Sequence, residues 1–159
     1  MKYLFRGVSE ELYRKLGGKL IPKVQAPFEH CFIAGEGIRA GDGAVVGRTA
    51  RNAVIRHQLG QAGFPTSGVS TTPHFERARF YATGGGLHAA GYVNKIDREL
   101  LAANGVYEFI IAEYATNPSV PEDDEVILVA SGHRELPAVI VVEVISVQVS
   151  ASGCREGSR

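Results

Sequence analysis

The chain has 159 residues, 45% of them apolar and 21% charged, with a formal net charge of zero. That length favours one domain with a real core, and the balanced charge gives no electrostatic footprint for general binding to nucleic acid or an anionic membrane. Cys31 and Cys154 stand far apart without framework spacing, which argues against a disulfide or zinc site and for a reducing, cytoplasmic place of action.

The opening Met1-Lys2-Tyr3-Leu4-Phe5-Arg6 has no apolar core of a secretion signal. Residues 2–8 alternate instead, with Tyr3 and Phe5 on one side and Leu4 and Arg6 on the other, which predicts a first strand. On such a face Arg6 is either a structural ion pair or a ligand clamp. Ser9 then caps a predicted helix that carries Glu10 and Glu11 in its first turn, Leu12 and Leu16 on its buried face, and Gly17-Gly18 at its stop.

Residues 20–47 are irregular and rich in glycine. Gly35, Gly37, Gly41 and Gly43 invite a phosphate-loop reading, but neither the dinucleotide fingerprint nor the Gly-Lys-Ser/Thr ending of an ATP loop follows, so a surface loop is expected. Thr49 opens a predicted helix to about Gln61, with Ala50, Ala53, Val54, His57 and Gln58 on one stripe. His57 reads as a hydrogen-bonded, half-buried residue. Arg48, Arg51 and Arg56 here, and Arg77 and Arg79 on the next helix, read as solvated faces.

Residues 68–82 join a short strand to a short helix. Ser70 and Thr71 stand at the strand end, Thr72 is placed to cap the helix, and Pro73 fits its first turn. Phe75, Ala78 and Ala82 share one helical face, and Gly84, Gly85 and Gly86 end the helix. A strand is predicted over 91–96, a helix capped by Asp97 and closed at Asn104-Gly105, and another strand over 106–113.

An irregular loop, 114–124, leads into Glu122-Asp123-Asp124-Glu125 and then the apolar Val126-Ile127-Leu128-Val129. The first three acids read as a solubilising cluster ahead of a buried strand; Glu125, at the strand's start, is less well explained that way. The Val- and Ile-rich stretch 136–149 is the last predicted strand, and 150–159 is a small polar tail expected to be disordered. No apolar run has the length of a membrane span. The element order predicts one α+β domain over 1–149 with mixed or antiparallel sheets. With no His-Glu-x-x-His, Cys-x-x-Cys or calcium-loop spacing, no metal is expected.

Three elements now stand in order: Leu4-Phe5-Arg6-Gly7 on the first strand, Val69-Ser70-Thr71-Thr72 at a strand end before a helix with aromatics, and Asp123-Asp124-Glu125-Val126-Ile127 at a late strand start. The arrangement resembles the Arg–Ser–Glu pattern of the ADP-ribosyltransferases, especially the cholera-toxin-like branch and its relatives among bacterial polymorphic toxin domains. The resemblance implies split β-sheets with flanking short helices, and NAD as cosubstrate. It implies Glu125 as the carboxylate facing the charge that develops on the ribose, and Arg6 as the donor to pyrophosphate or adenosine ribose. Gly7 would let the backbone approach the nicotinamide amide. Ser70 would bond the ribose or orient Glu125, with Thr71 and Thr72 bracing that corner and Phe80 or Tyr81 walling the nicotinamide pocket. Asp123 stands where the family often has a second acid that helps activate the acceptor; aspartate is shorter than the usual residue there.

The same resemblance implies an acceptor that is a protein side chain, a nucleic acid or a small molecule. It admits delivery into a target cell as part of a larger protein, an inhibitor (immunity) protein as partner, and no membrane partner. An NAD glycohydrolase would use the same residues with water as acceptor. A nuclease built on His57, His74 or His88 lacks paired spacing, an NAD-using enzyme that removes a phosphate from RNA would carry a different residue set, and a non-catalytic binding module on the same fold would not need Arg6, Ser70 and Glu125 intact.

Overall fold

The computed structural model describes residues 1–23, 68–113, 120–131 and 134–149. Their architecture is α+β, with two three-stranded antiparallel sheets. In chain order the elements are β1 (Tyr3–Ser9), α1 (Glu10–Lys15), β2 (Val69–Thr71), α2 (Phe75–Ala82), β3 (Ala90–Asp97), β4 (Val106–Ile110), β5 (Val126–Ala130) and β6 (Val141–Gln148). One sheet has the order β1-β3-β6 and the other β2-β5-β4. Among the described residues they meet at one antiparallel bridge, where Phe5 N–H donates to the Thr72 carbonyl at 2.7 Å and Thr72 N–H donates to that of Phe5 at 3.0 Å.

The alternation of β1 divides the core. Leu4 points into a cluster with Ile96, Val126, Leu128 and Ile140, while Phe5 packs against the cluster of Ala78, Ala82, Val93 and Val147 beneath α2. β5 lies centrally, and all five of its residues are buried, as its unbroken apolar run demands. α2 rests on β1 and β3 through Ala78 and Ala82, both fully buried. Gly7 and Gly91 make that contact possible: a β-carbon on Gly7 would fall 1.8 Å from the Ala78 carbonyl oxygen, and one on Gly91 2.2 Å from that of Ala82. Two glycines and two alanines thus bring helix and strand backbones together without intervening side chains.

Several local expectations shift. Ser9 does cap α1, accepting from Leu12 N–H at 3.3 Å, but none of the six helical residues is buried. In place of a leucine face, Tyr13 stacks on Tyr92 with ring centroids 4.2 Å apart. α2 begins at Phe75 with His74 as its cap residue, because the chain is still extended at His74 (φ −103°, ψ 113°). Thr72 therefore does not cap the helix. The helix predicted after Asp97 is a pair of 3-10 turns, closed by Gly105 at φ 67° as its sequence suggests. β4 ends at Ile110 and turns at Ile111–Glu113, and the last strand starts at Val141 after a turn at Ala138–Ile140. The glycine-rich stretch beyond residue 23, the helix predicted from Thr49 with His57, the loop over 114–119 and the tail lie outside the described residues. No helix among the described residues is long and apolar enough to cross a membrane.

Candidate active site

The bridge between the two sheets assembles the site. β1 carries Arg6 one residue beyond the bridging Phe5, and the Arg6 Nη1 donates to the Ser70 carbonyl at 3.0 Å. Ser70 sits in the middle of β2, paired with Ile127 of β5. The chain enters β5 from Glu125, which is half-buried and whose carbonyl accepts from Ile111 N–H at 2.9 Å. Arg6, Ser70 and Glu125 come from three distant parts of the sequence and are brought together by the pairing of β2 with β5 and the bridge from β1 to Thr72.

The electrostatics tie the first and last of these. Burial pushes the Arg6 guanidinium below its ordinary range, and the negative charge of Glu125, followed by Tyr81, opposes that shift. Glu125 therefore lies within electrostatic reach of Arg6. A desolvated guanidinium gains from an anionic partner, because little water screens the pair.

The threonines after Ser70 both face inward. Thr71 Oγ1 donates to the Val126 carbonyl at 2.6 Å, and Thr72 Oγ1 donates to that of Asp123 at 2.5 Å while accepting from His74 N–H at 3.1 Å. Both hydroxyl protons are thus committed to the chain that flanks Glu125. Asp124 adopts the left-handed conformation (φ 44°, ψ 49°), which a short polar side chain tolerates better than most. That turn redirects the backbone just before Glu125.

Asp123 is buried, and its carboxylate is held from α2. Arg77 Nε donates to Oδ1 at 2.5 Å and the Tyr81 hydroxyl donates to Oδ2. Phe80 and Tyr81, 48% and 43% exposed, form an edge-to-face pair beside Arg77, whose guanidinium carbon lies 5.2 Å and 5.6 Å from their ring centres. Arg77, read from sequence as part of a solvated face, belongs to this cluster. Its signal was the stripe His74, Arg77 and Tyr81 at i, i+3 and i+7, alongside the buried face of Ala78 and Ala82.

Arg6, Gly7, Ser70, Thr71, Thr72, Tyr81 and Asp123 all border one recess of about 20 Å³, enough for a single water and far smaller than a dinucleotide. Phe80 stands outside it, over an open groove with Arg79 and Gln148. The space on the side of Gly7 where a side chain would project is filled by α2. Among the described residues no group of three or more His, Cys, Asp or Glu side chains could hold a metal ion.

No curated protein matches this chain. A family model described as NarE matches residues 3–128, a span that begins at β1 and closes inside β5 and so takes in Arg6, Ser70 and Glu125. The chain belongs to the NarE family, which is ADP-ribosyltransferase-like.

Proposed function

We propose that this protein is a mono-ADP-ribosyltransferase, cleaving the nicotinamide–ribose bond of NAD and passing ADP-ribose to an acceptor. The observation that carries the reading is the meeting of Arg6, Ser70 and Glu125 at the junction of the two sheets, with Glu125 in electrostatic reach of Arg6. Membership of an ADP-ribosyltransferase-like family supports it.

The residue chemistry fits NAD as substrate. When the glycosidic carbon–nitrogen bond breaks, its electron pair leaves with nicotinamide and positive charge develops on the ribose. A fixed carboxylate stabilises that charge, and this is the role of Glu125. Arg6 supplies the rigid fork of donors that pyrophosphate or ribose oxygens require. Ser70 bonds the ribose or orients Glu125, Thr71 and Thr72 hold the strand entrance, and Tyr81, which borders the recess, provides an aromatic wall. The acceptor nucleophile then bonds to the ribose carbon and gives up its proton.

The test is nicotinamide release from NAD by the purified protein and by Glu125→Gln, with and without cell lysate. Glu125→Gln keeps the shape and removes the charge, so release should fall on the order of 100- to 1,000-fold with the fold intact. Release that requires lysate identifies a transferase; release in buffer alone identifies water as the acceptor and a glycohydrolase. Near-wild-type turnover by Glu125→Gln overturns the reading.

A further inference from the structure

Each of the three acids before Glu125 is held from α2 or its cap. His74 Nε2 lies 2.7 Å from Asp124 Oδ2, Arg77 Nε 2.5 Å from Asp123 Oδ1, and Arg77 Nη2 3.8 Å from Glu122 Oε1. The Tyr81 hydroxyl takes the other oxygen of Asp123, and Thr72 takes its carbonyl. His74, Arg77 and Tyr81 recur at i, i+3 and i+7, so a single helical face grips the whole acid run.

The adjoining face of the same helix fixes the other half of the site. Ala78 and Ala82 press on Gly7 and Gly91 with no room for a β-carbon, and Gly7 follows Arg6 directly. α2 therefore touches the strand that carries Arg6 on one side and the turn that delivers Glu125 on the other. Asp123 sits at the centre of this grip, only 12% of its side chain accessible, with both carboxylate oxygens engaged by donors.

We infer that α2 sets the separation of Arg6 and Glu125, that Arg77 and Tyr81 are positioning residues for Glu125, and that Asp123 anchors the turn rather than taking a proton from the acceptor. This rests on the ADP-ribosyltransferase reading for its activity consequences. An acid that activates the acceptor must have an oxygen turned toward it. Asp123 borders the recess, but each of its oxygens already holds a donor from α2, and Arg77 balances its charge.

The experiment compares wild type with Asp123→Asn, Arg77→Ala and Arg77→Lys on two readouts: nicotinamide release from NAD, and transfer of ADP-ribose to agmatine, a small guanidinium acceptor. Asp123→Asn and Arg77→Ala should each lower kcat for release about tenfold, the size of a lost charge-assisted hydrogen bond, with KM for NAD unchanged. Any transfer to agmatine should fall by the same factor, and Arg77→Lys should recover part of the loss. Loss of transfer with release intact in Asp123→Asn would make Asp123 the acceptor's base and overturn the inference.

Amide hydrogen exchange over residues 120–126 supplies a readout that needs no activity. Arg77→Ala should speed exchange there while leaving β3 and β6 protected; unchanged exchange at 120–126 overturns the inference. A wild type that releases no nicotinamide would sink the transferase reading while the exchange result still decides whether α2 holds this turn.

Discussion

Arg6 stands on the strand beneath α2 and Arg77 on α2 itself, and their surroundings differ sharply. Burial pushes Arg6 below its ordinary range, and it donates to the neutral carbonyl of Ser70. Arg77 is pushed above its ordinary range, first by its hydrogen bond to Asp123, and it stands beside two aromatic rings. Arg77 answers chiefly to the acid it holds, whereas Arg6 answers chiefly to its own desolvation, with the charge of Glu125 within reach. On the function proposed above, the contrast separates the residue that binds substrate from the one that holds the site in shape.

The largest effect expected is that of Glu125→Gln, which removes the charge both arginine regions serve. Next comes Gly7→Ala, which strikes the helix common to them. Its β-carbon would collide with the Ala78 carbonyl, and backbone cannot swing aside as a long side chain can. Overpacking of this kind costs about 1–3 kcal/mol. Thermal unfolding of Gly7→Ala should show a clearly lower midpoint, and hydrogen exchange should quicken in α2 and at 120–126 together. A wild-type midpoint would mean that α2 is free to lift from β1, and the comparison of the two arginines would lose its common frame.

Arg6→Ala sharpens the contrast directly. Removing a charge-assisted donor should raise KM for NAD at least about tenfold. Arg77→Ala should instead act on kcat. Steady-state kinetics on the pair should therefore give crossed signatures, KM for one and kcat for the other. Identical signatures would make the division between binding and positioning untenable.

How far the sequence carried this picture depends on the kind of contact. Arg6, Ser70 and Glu125 are legible because each is tied to its own strand and the three occur in a recognisable order. The α+β class is legible because alternation in residues 2–8 and the unbroken apolar run at Val126 are local signals. What could not be read was the third dimension around α2. Glu122, Asp123 and Asp124 look like a solubilising cluster until His74 and Arg77 are seen facing them across more than forty positions of chain. Gly7 invites a ligand in sequence, and only the fold shows Ala78 filling the space beside it. Thr72 has the residue type of a helix cap, yet the chain is still extended at His74, and the Thr72 hydroxyl goes to Asp123.

Tyr81 touches both arginine regions, and the smallest expected effect lies there. Its hydroxyl donates to Asp123, its ring lies beside Arg77, and it borders the recess next to Arg6. Tyr81→Phe keeps the ring and deletes one donor, so kcat should fall only about threefold, a single modest hydrogen bond. The phenol is pushed above its ordinary value, by burial first and by the bond to Asp123 second. A raised folded-state value means the stabilisation is complete below the unfolded phenol's pKa, about 10, and is lost only as pH climbs through the folded one. The kcat deficit of Tyr81→Phe should therefore stay constant across about pH 6 to 9, where the phenol remains a donor. A deficit that grows or disappears within that window would mean the hydroxyl exchanges a proton during turnover. Tyr81 would then belong with Arg6 in the chemistry, and not with Arg77 in the frame that supports it.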